Sequence, residues 1–389
     1  MLAVSTAPSA ATAATSRPGQ VGLVNFVGSS LSGGKATLRL DWASVSGASS
    51  YKVFVSRTYD GVAAATRPVA QPTGSGATIR GLTPGVDYFV QVSAVNSAGT
   101  GFRSQRVGHG TIKAEASSSS LRTHSFRLMT WNVCSVQCSS MSSRTRVINE
   151  RIGDLKPGFV VAQEASSYST APSGYRFAVN GQNDILYRTS EFSPITNDGK
   201  IVRGETEFAS KYASNGKGAA WAAFQDRATG RGLVVVTVHL RVGDTSSTIA
   251  QREYEASRLS AYVDGVVRNL SSTLSSRWAS APVVIAGDFN THKSRAGDDS
   301  QEILERAGWF DAYDQSRALN CQHCNSANPT MQAAPVIGVK WGDHVDKVLV
   351  RPSHAIVEGW ANAGERSGYN FVTPLGSDHH PVLVRVMLG

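Results

Sequence analysis

Val283-Val284-Ile285-Ala286-Gly287-Asp288-Phe289-Asn290 reads as a strand that ends in chemistry. Four apolar residues in succession are too few for a helix, and the β-branched side chains favour a strand buried on both faces. Beyond Gly287 the chain presents Asp288 and Asn290. Residues two apart on an extended segment point the same way, so a carboxylate and an amide project together from a rigid support. Such a pair suits a hard cation and the phosphate it polarises. A strand running into an Asp/Asn turn explains the same residues taken alone, so the rest of the chain has to decide.

Working outward, other strand-like runs end in the same chemistry. Ser125–Val133 is a strand ending in Asn132, and Phe159–Ala162 runs into Gln163-Glu164. Ala219–Phe224 and Gly232–Leu240 read as a hairpin that carries His239. His344–Val350 contains Asp346, and Asp378-His379 precede a last strand at Pro381–Val386. Helices are expected from Ser142 or Ser143 to Leu155, over 250–270 with Leu259, Val263, Val266 and Leu270 on one face, and near Ser300–Ala307. Each polar residue has a plain explanation singly: a turn Glu, a core His, a cap. Their shared position at strand ends is what argues for one site. Oxygen and imidazole donors without Cys point to Mg²⁺, Mn²⁺ or Ca²⁺, and no His-Glu-x-x-His segment suggests a zinc protease.

At 389 residues the chain is long enough for two or three domains with real cores. No run of about 18 apolar residues crosses a membrane. The net charge is +9, of which residues 1–115 carry +6, a weak preference for polyanionic partners. Residues 1–17 are uncharged to Ser16 and read as a disordered remnant of a secretory signal, or of a re-started gene. Cys134, Cys138, Cys321 and Cys324 read first as disulfides in an exported protein, with a four-cysteine zinc site as the alternative.

Residues 18–113 read as an all-β sandwich. Leu38–Trp42, Tyr51–Val55, Ala77–Arg80 and Tyr88–Ala94 alternate and are separated by Gly/Ser/Pro clusters. Trp42, then Leu82-Thr-Pro-Gly-Val-Asp-Tyr88, then Val92–Gly99, resemble a fibronectin type III domain, a packing signature silent on ligands. A spacer or surface-binding module is the expected role. Residues 114–124, with four consecutive serines, read as a flexible linker.

Residues 125–389 resemble the endonuclease/exonuclease/phosphatase superfamily. The resemblance rests on Thr-Trp-Asn-Val, Val-Val-Ala-Gln-Glu, Val-His-Leu, Gly-Asp-Phe-Asn, Val-Asp-Lys-Val-Leu-Val and Ser-Asp-His-His-Pro, in that order. It implies an α+β four-layer sandwich, DNase I-like, with two mixed sheets flanked by helices. It implies that Asn132, Glu164 and Asp378 hold a divalent cation, and that Asp288 orients or deprotonates the attacking water. Asn290 grips a phosphate oxygen, His379 contacts the phosphate with Asp346 fixing its tautomer, and His239 assists on the opposite side. Thr-Val-His-Leu and Asp-Lys-Val depart from the commoner pattern without removing a catalytic group. Bridges Cys134–Cys138 and Cys321–Cys324 would brace loops close to the site.

The expected function is an exported, monomeric, metal-dependent phosphodiesterase acting on nucleic acid, with Lys211, Lys217, Arg241, Lys293 and Arg295 available to meet phosphates. The alternatives are a sphingomyelinase-like phospholipid hydrolase and a non-catalytic binding protein. The first needs an apolar wedge. Trp309-Phe310 reads as a helix end packing inward, and residues 316–343, with Trp341, are the stretch that could hide a wedge.

Overall fold

The computed structural model describes residues 16–208 and 217–389, so the uncharged N-terminal stretch through residue 15 and Lys211 lie outside the described residues. The N-terminal sandwich pairs one sheet of Val24–Ser32, Lys35–Trp42 and Gly76–Leu82 with another of Ser50–Ser56, Asp87–Asn96, Gly99–Arg103 and Val107–Gly110. Alternate residues Leu38, Leu40 and Trp42 meet Val53, Val90 and Val92 in its core, as the two-residue period requires. The hydroxyl of Tyr88 accepts a hydrogen bond from Thr83 N at 3.0 Å, closing the corner that the Leu-Thr-Pro-Gly run announces.

Two seven-stranded sheets build the rest. In the first, Phe126–Asn132 lies parallel to Phe159–Gln163 and antiparallel to Val382–Leu388. In the second, Gly232–His239 lies parallel to Val283–Asp288, which pairs antiparallel with Asp346–Val350. Leu128, Val161, Val235, Ala286 and Val384 share one apolar cluster drawn from both sheets. The alternate residues Met129 and Val160 pack on Ile148 and Ile152 of the helix Met141–Leu155. Val234, Val236 and Ile285 pack on Leu259, Val263 and Val266 of the helix Ser246–Thr273. Central strands with an apolar layer on each face have no polar alternation, which is why they read as unbroken Val/Ile runs. Gly287 is required by close approach: a Cβ there would stand 1.9 Å from Val238 O on the neighbouring strand.

The Ser-rich segment is a correction. Ala116 N donates to Ala355 O at 3.0 Å, and Arg122 N and Thr123 N donate to Leu388 O at 2.7 and 3.0 Å. It is fastened to the second unit rather than swinging freely. Trp309 packs inward after the helix Ser300–Arg306, as expected. The strand Ala355–Asn362 was not legible in the sequence, because its apolar residues are interrupted by Glu358 and Gly359.

Asp184, fully buried, is the second residue of the strand Asn183–Arg188 and pairs with Ala162. One carboxylate oxygen accepts from Gly181 N at 2.6 Å and the other has no hydrogen-bond partner. Burial pushes this carboxyl up to about 8. A folded pKa above the unfolded value stabilises fully at low pH, and that contribution is lost as pH climbs from about 4 towards about 8. Asp184→Asn removes the titration. It is expected to gain about 1–3 kcal/mol at pH 8 and little at pH 4, read by denaturant unfolding at both pH values.

Candidate active site

The strand directions gather the site. Because the central pair of each sheet runs parallel, Asn132 is level with Gln163, and His239 with Asp288. The antiparallel neighbours enter from the same rim: Asp346 faces Asp288 in register, and Val382 opposite Thr130 leaves Asp378 and His379 just above the sheet. Residues scattered from 132 to 379 along the chain therefore meet at one edge of both sheets.

Asn132 Nδ2 lies 3.1 Å from both Glu164 Oε1 and Asp288 Oδ2, so one amide bridges carboxylates from the two sheets. His239 Nε2 stands 3.5 Å from Asp288 Oδ2 and 3.8 Å from Glu164 Oε1. The His379 Nδ1–H donates to Asp346 Oδ2 at 2.7 Å, leaving Nε2 4.0 Å from Asp288 Oδ2. Asn290 N donates to Asp288 Oδ1 and its side chain to Leu240 O, at 2.9 and 3.0 Å. Asp378 sits one step aside, with the Ser377 hydroxyl 3.1 Å away and the sulfurs of Cys134 and Cys138 within 4.8 Å. Glu164 and Asn290 take left-handed backbone angles, φ 52° and 51°. Asn tolerates this locally, whereas for Glu it is a strained turn held by its surroundings.

The two imidazoles are driven apart electrostatically. Burial pulls His239 down to about 3 against the attraction of Asp288, keeping it neutral. Burial also pulls on His379, but the charge and hydrogen bond of Asp346, followed by Asp288, raise it to about 10. One ring is thus a neutral donor–acceptor and the other a cation beside the carboxylates, a division of labour suited to proton transfer and charge stabilisation. Lys217 Nζ lies 2.5 Å from His239 Nε2, and burial lowers its pKa despite Asp288 and Glu164.

The basic residues expected to meet phosphates are corrected in part. Lys217 faces His239 as described. Lys293 is committed to Asp314 and Asp87 at 2.6 and 3.0 Å. Arg295 holds Asn290 O at 2.9 Å and Asp244 at 2.9 Å. Arg241 keeps a buried Nε without a partner. Trp341 is buried against Phe89 of the sandwich and is no membrane wedge. The zinc alternative is also overturned, since Cys134–Cys138 and Cys321–Cys324 are disulfide-bonded.

Sequence reading missed the supports. Gln163 Nε2 donates to Thr237 Oγ1 at 3.1 Å and its Oε1 accepts from Thr130 at 3.3 Å, tying the sheets together beneath the site. The signal was present as polar residues interrupting apolar strands. Arg144, nearly buried, donates to the carbonyls of Val133, Cys134, Ser139 and Gly376 at 2.7–2.8 Å. It joins the loop after Asn132 to the loop before Asp378. Its position one turn before Ile148, on the buried face of the helix, was the signal in the sequence.

Residues 28–109 match the family model of the fibronectin type III domain. Among curated proteins, none matches the chain by sequence. A solved endonuclease/exonuclease/phosphatase family protein from Bacteroides thetaiotaomicron is 16% identical with a TM-score of 0.51, over 69% of this chain and 97% of that one. A mannosyl-6-phosphatase from Bacteroides thetaiotaomicron VPI-5482 is 16% identical over 67% of this chain and 99% of its own, TM-score 0.48. D. rerio TDP2, solved with a single-strand DNA product, is 15% identical over 67% and 98%, TM-score 0.45. The chain thus joins a fibronectin type III domain to a unit with the endonuclease/exonuclease/phosphatase fold.

Arg144→Met strips four carbonyls of their donor. It is expected to destabilise the fold by about 3 kcal/mol, as removal of a buried charged donor does, measured as a lowered midpoint in urea.

Proposed function

We propose that the protein is a divalent-metal-dependent phosphodiesterase and that nucleic acid is its substrate class. One observation carries this reading: Asn132, Glu164, His239, Asp288, Asp346 and His379, from six places in the chain, converge at hydrogen-bond and ion-pair distances on one rim. The donor set fits a hard cation. Glu164 and Asp288 are bridged by a single neutral amide, and Asp346 keeps one buried oxygen without a partner. Asn132, Glu164 and Asp378 are the residues that would hold the ion. When bound, it would polarise the phosphoryl oxygens.

The chain's own groups do the rest. Asp288 orients water and takes its proton, with its own position fixed by Asn132 and Asn290 N. Asn290 grips a phosphate oxygen. His379, held cationic and in one tautomer by Asp346, meets the charge that develops on the phosphate. His239, neutral, serves the opposite side. An intact set of this kind counts against a non-catalytic binding protein.

The nucleic-acid reading draws on the net charge of +9 and on Arg241 and Lys217, the described cations of the expected set not spent on carboxylates. The sphingomyelinase-like alternative keeps one favourable observation: Val136 and Val242, on loops leaving Asn132 and His239, are 71% and 54% exposed. We also infer export, which the two disulfides favour. Three separate apolar clusters support reading the larger unit as four layers, with domains at 18–113 and 125–389 joined by 114–124.

Plasmid DNA, RNA, sphingomyelin and bis(4-nitrophenyl) phosphate, each with Mg²⁺, Mn²⁺ or EDTA, test the reading. Turnover of nucleic acid and of the aryl diester, abolished by EDTA, is expected. His379→Ala and Asp288→Ala are each expected to lower kcat by about 10²–10⁴-fold while thermal unfolding stays cooperative. Near-normal rates in either variant would remove the assigned mechanism.

A further inference from the structure

The fibronectin type III domain is docked against the two loops that deliver Asn290 and Asp346. The first loop leaves the central strand at Asp288 and turns back on itself, Arg295 N donating to His292 O at 3.0 Å. At its apex Lys293 reaches across to Asp87 of the fibronectin domain at 3.0 Å while holding Asp314 at 2.6 Å. Asp314 in turn accepts from Gly110 N of the same domain at 3.1 Å. The second loop runs from Lys340 to Asp346. Its Lys340 O accepts from Gly108 N at 2.6 Å, and Trp341 lies with its ring centroid 4.8 Å from that of Phe89. Asp343 joins the two loops, 3.3 Å from His292 Nδ1 and 2.5 Å from Ser294 Oγ. Phe289 N donates to Val345 O at 2.9 Å and closes the circuit beside Asp288.

A second observation is independent of these bonds. Three glycines on the fibronectin side have atoms of the other unit where a side chain would begin. A Cβ on Gly28 would stand 2.1 Å from Arg317 O, on Gly108 2.8 Å from the Trp341 ring, and on Gly110 2.6 Å from Asp314 Cγ. The seam continues through Ser29 N to Ser316 O at 3.1 Å, Lys113 N to Gln315 Oε1 at 3.0 Å and His323 Nε2 beside Val24 O at 2.9 Å. A domain that swivels on a linker meets its neighbour through a small, wet contact. This one buries Trp341 and the Asp314 carboxylate, and covers most of Lys293, against bare backbone.

We propose that the fibronectin type III domain is a fixed brace of the hydrolytic site, with Lys293 and Trp341 as positioning residues that hold Asn290 and Asp346 in place. The proposal rests on the phosphodiesterase reading for its catalytic part only. Displacements of about 1 Å at reacting groups lower rates by about 10²-fold, so a loosened brace acts on turnover. A small diester cannot span from the site to a separate binding face. An effect on its kcat therefore separates a brace from a substrate-binding accessory.

The test uses the full chain carrying Gly110→Val, a wedge whose three nearest neighbours are all atoms of Asp314, and separately Asp87→Lys, which sets like charge against Lys293. Small-angle scattering reports undocking, and hydrogen exchange reports the loops without reference to activity. In undocked protein the amides of 290–295 and 340–346 are expected to lose protection by about ten-fold or more, while those of Phe126–Asn132 and Phe159–Gln163 hold. For bis(4-nitrophenyl) phosphate, kcat is expected to fall about ten-fold or more with KM within about two-fold. Lys293→Met should reproduce the fall and Lys293→Arg should restore most of it. Unchanged exchange in the two loops after undocking overturns the brace, as does failure of both variants to undock. Wild-type protein inactive on every diester, with the exchange change intact, refutes the phosphodiesterase reading and leaves the brace standing.

Discussion

Parallel pairing of the two central strands in each sheet is the constraint on which the site depends. A parallel pair ends at one level, so each sheet presents two adjacent chain ends on the same rim. Asn132 and Gln163 come from one sheet, His239 and Asp288 from the other. The sheets are kept close by small residues and a polar rung: Ala220, Ala222 and Ala286 face the inner layer, and Gln163 spans from Thr130 to Thr237. Wider separation would take the Asn132 amide, which shares a sheet with Glu164, out of reach of Asp288 on the other sheet.

The electrostatic consequence is a site that is charged yet largely dry. Asp288, Asp346 and His239 are almost fully buried, and such groups are tolerable only in company. Here the company is mutual. Asp346 keeps His379 cationic, that cation offsets Asp288, and burial keeps His239 neutral so that it adds no competing charge. Burial disfavours the charged form of Lys217 in the same way, against the pull of Asp288 and Glu164.

Much of this was legible in the sequence. Unbroken apolar runs ending in Asp, Asn, Glu or His gave both the strands and the candidate residues, because buried parallel strands need apolar side chains and their ends are the first places polar groups can stand. The helices Met141–Leu155 and Ser246–Thr273 followed from their apolar stripes. What could not be read was long-range. Nothing local to Lys293 or Arg295 distinguishes a phosphate-binding cation from one spent on Asp314 or Asp244. Arg144 falls in step with Ile148 and Ile152 on the buried face of its helix, but nothing local names the carbonyls it caps, one of them in a loop more than 200 residues away. Residues 316–343 lack periodicity because they are held by scattered contacts, some to the N-terminal domain and others to distant loops of their own unit, and Trp341 gave no hint of whether it faced lipid or Phe89.

The two disulfides join cysteines only four and three positions apart. Cross-links over such short spans remove little freedom from the unfolded chain, so they do little to decide whether the protein folds. Their effect is concentrated in the loop beside Asn132 and in the stretch that meets the N-terminal domain. A thiol reductant therefore acts on the working edge of the molecule first. On the phosphodiesterase reading proposed above, catalytic competence would be surrendered well before the β-sheets give way, and the redox state of the surroundings would be a condition for function more than for survival.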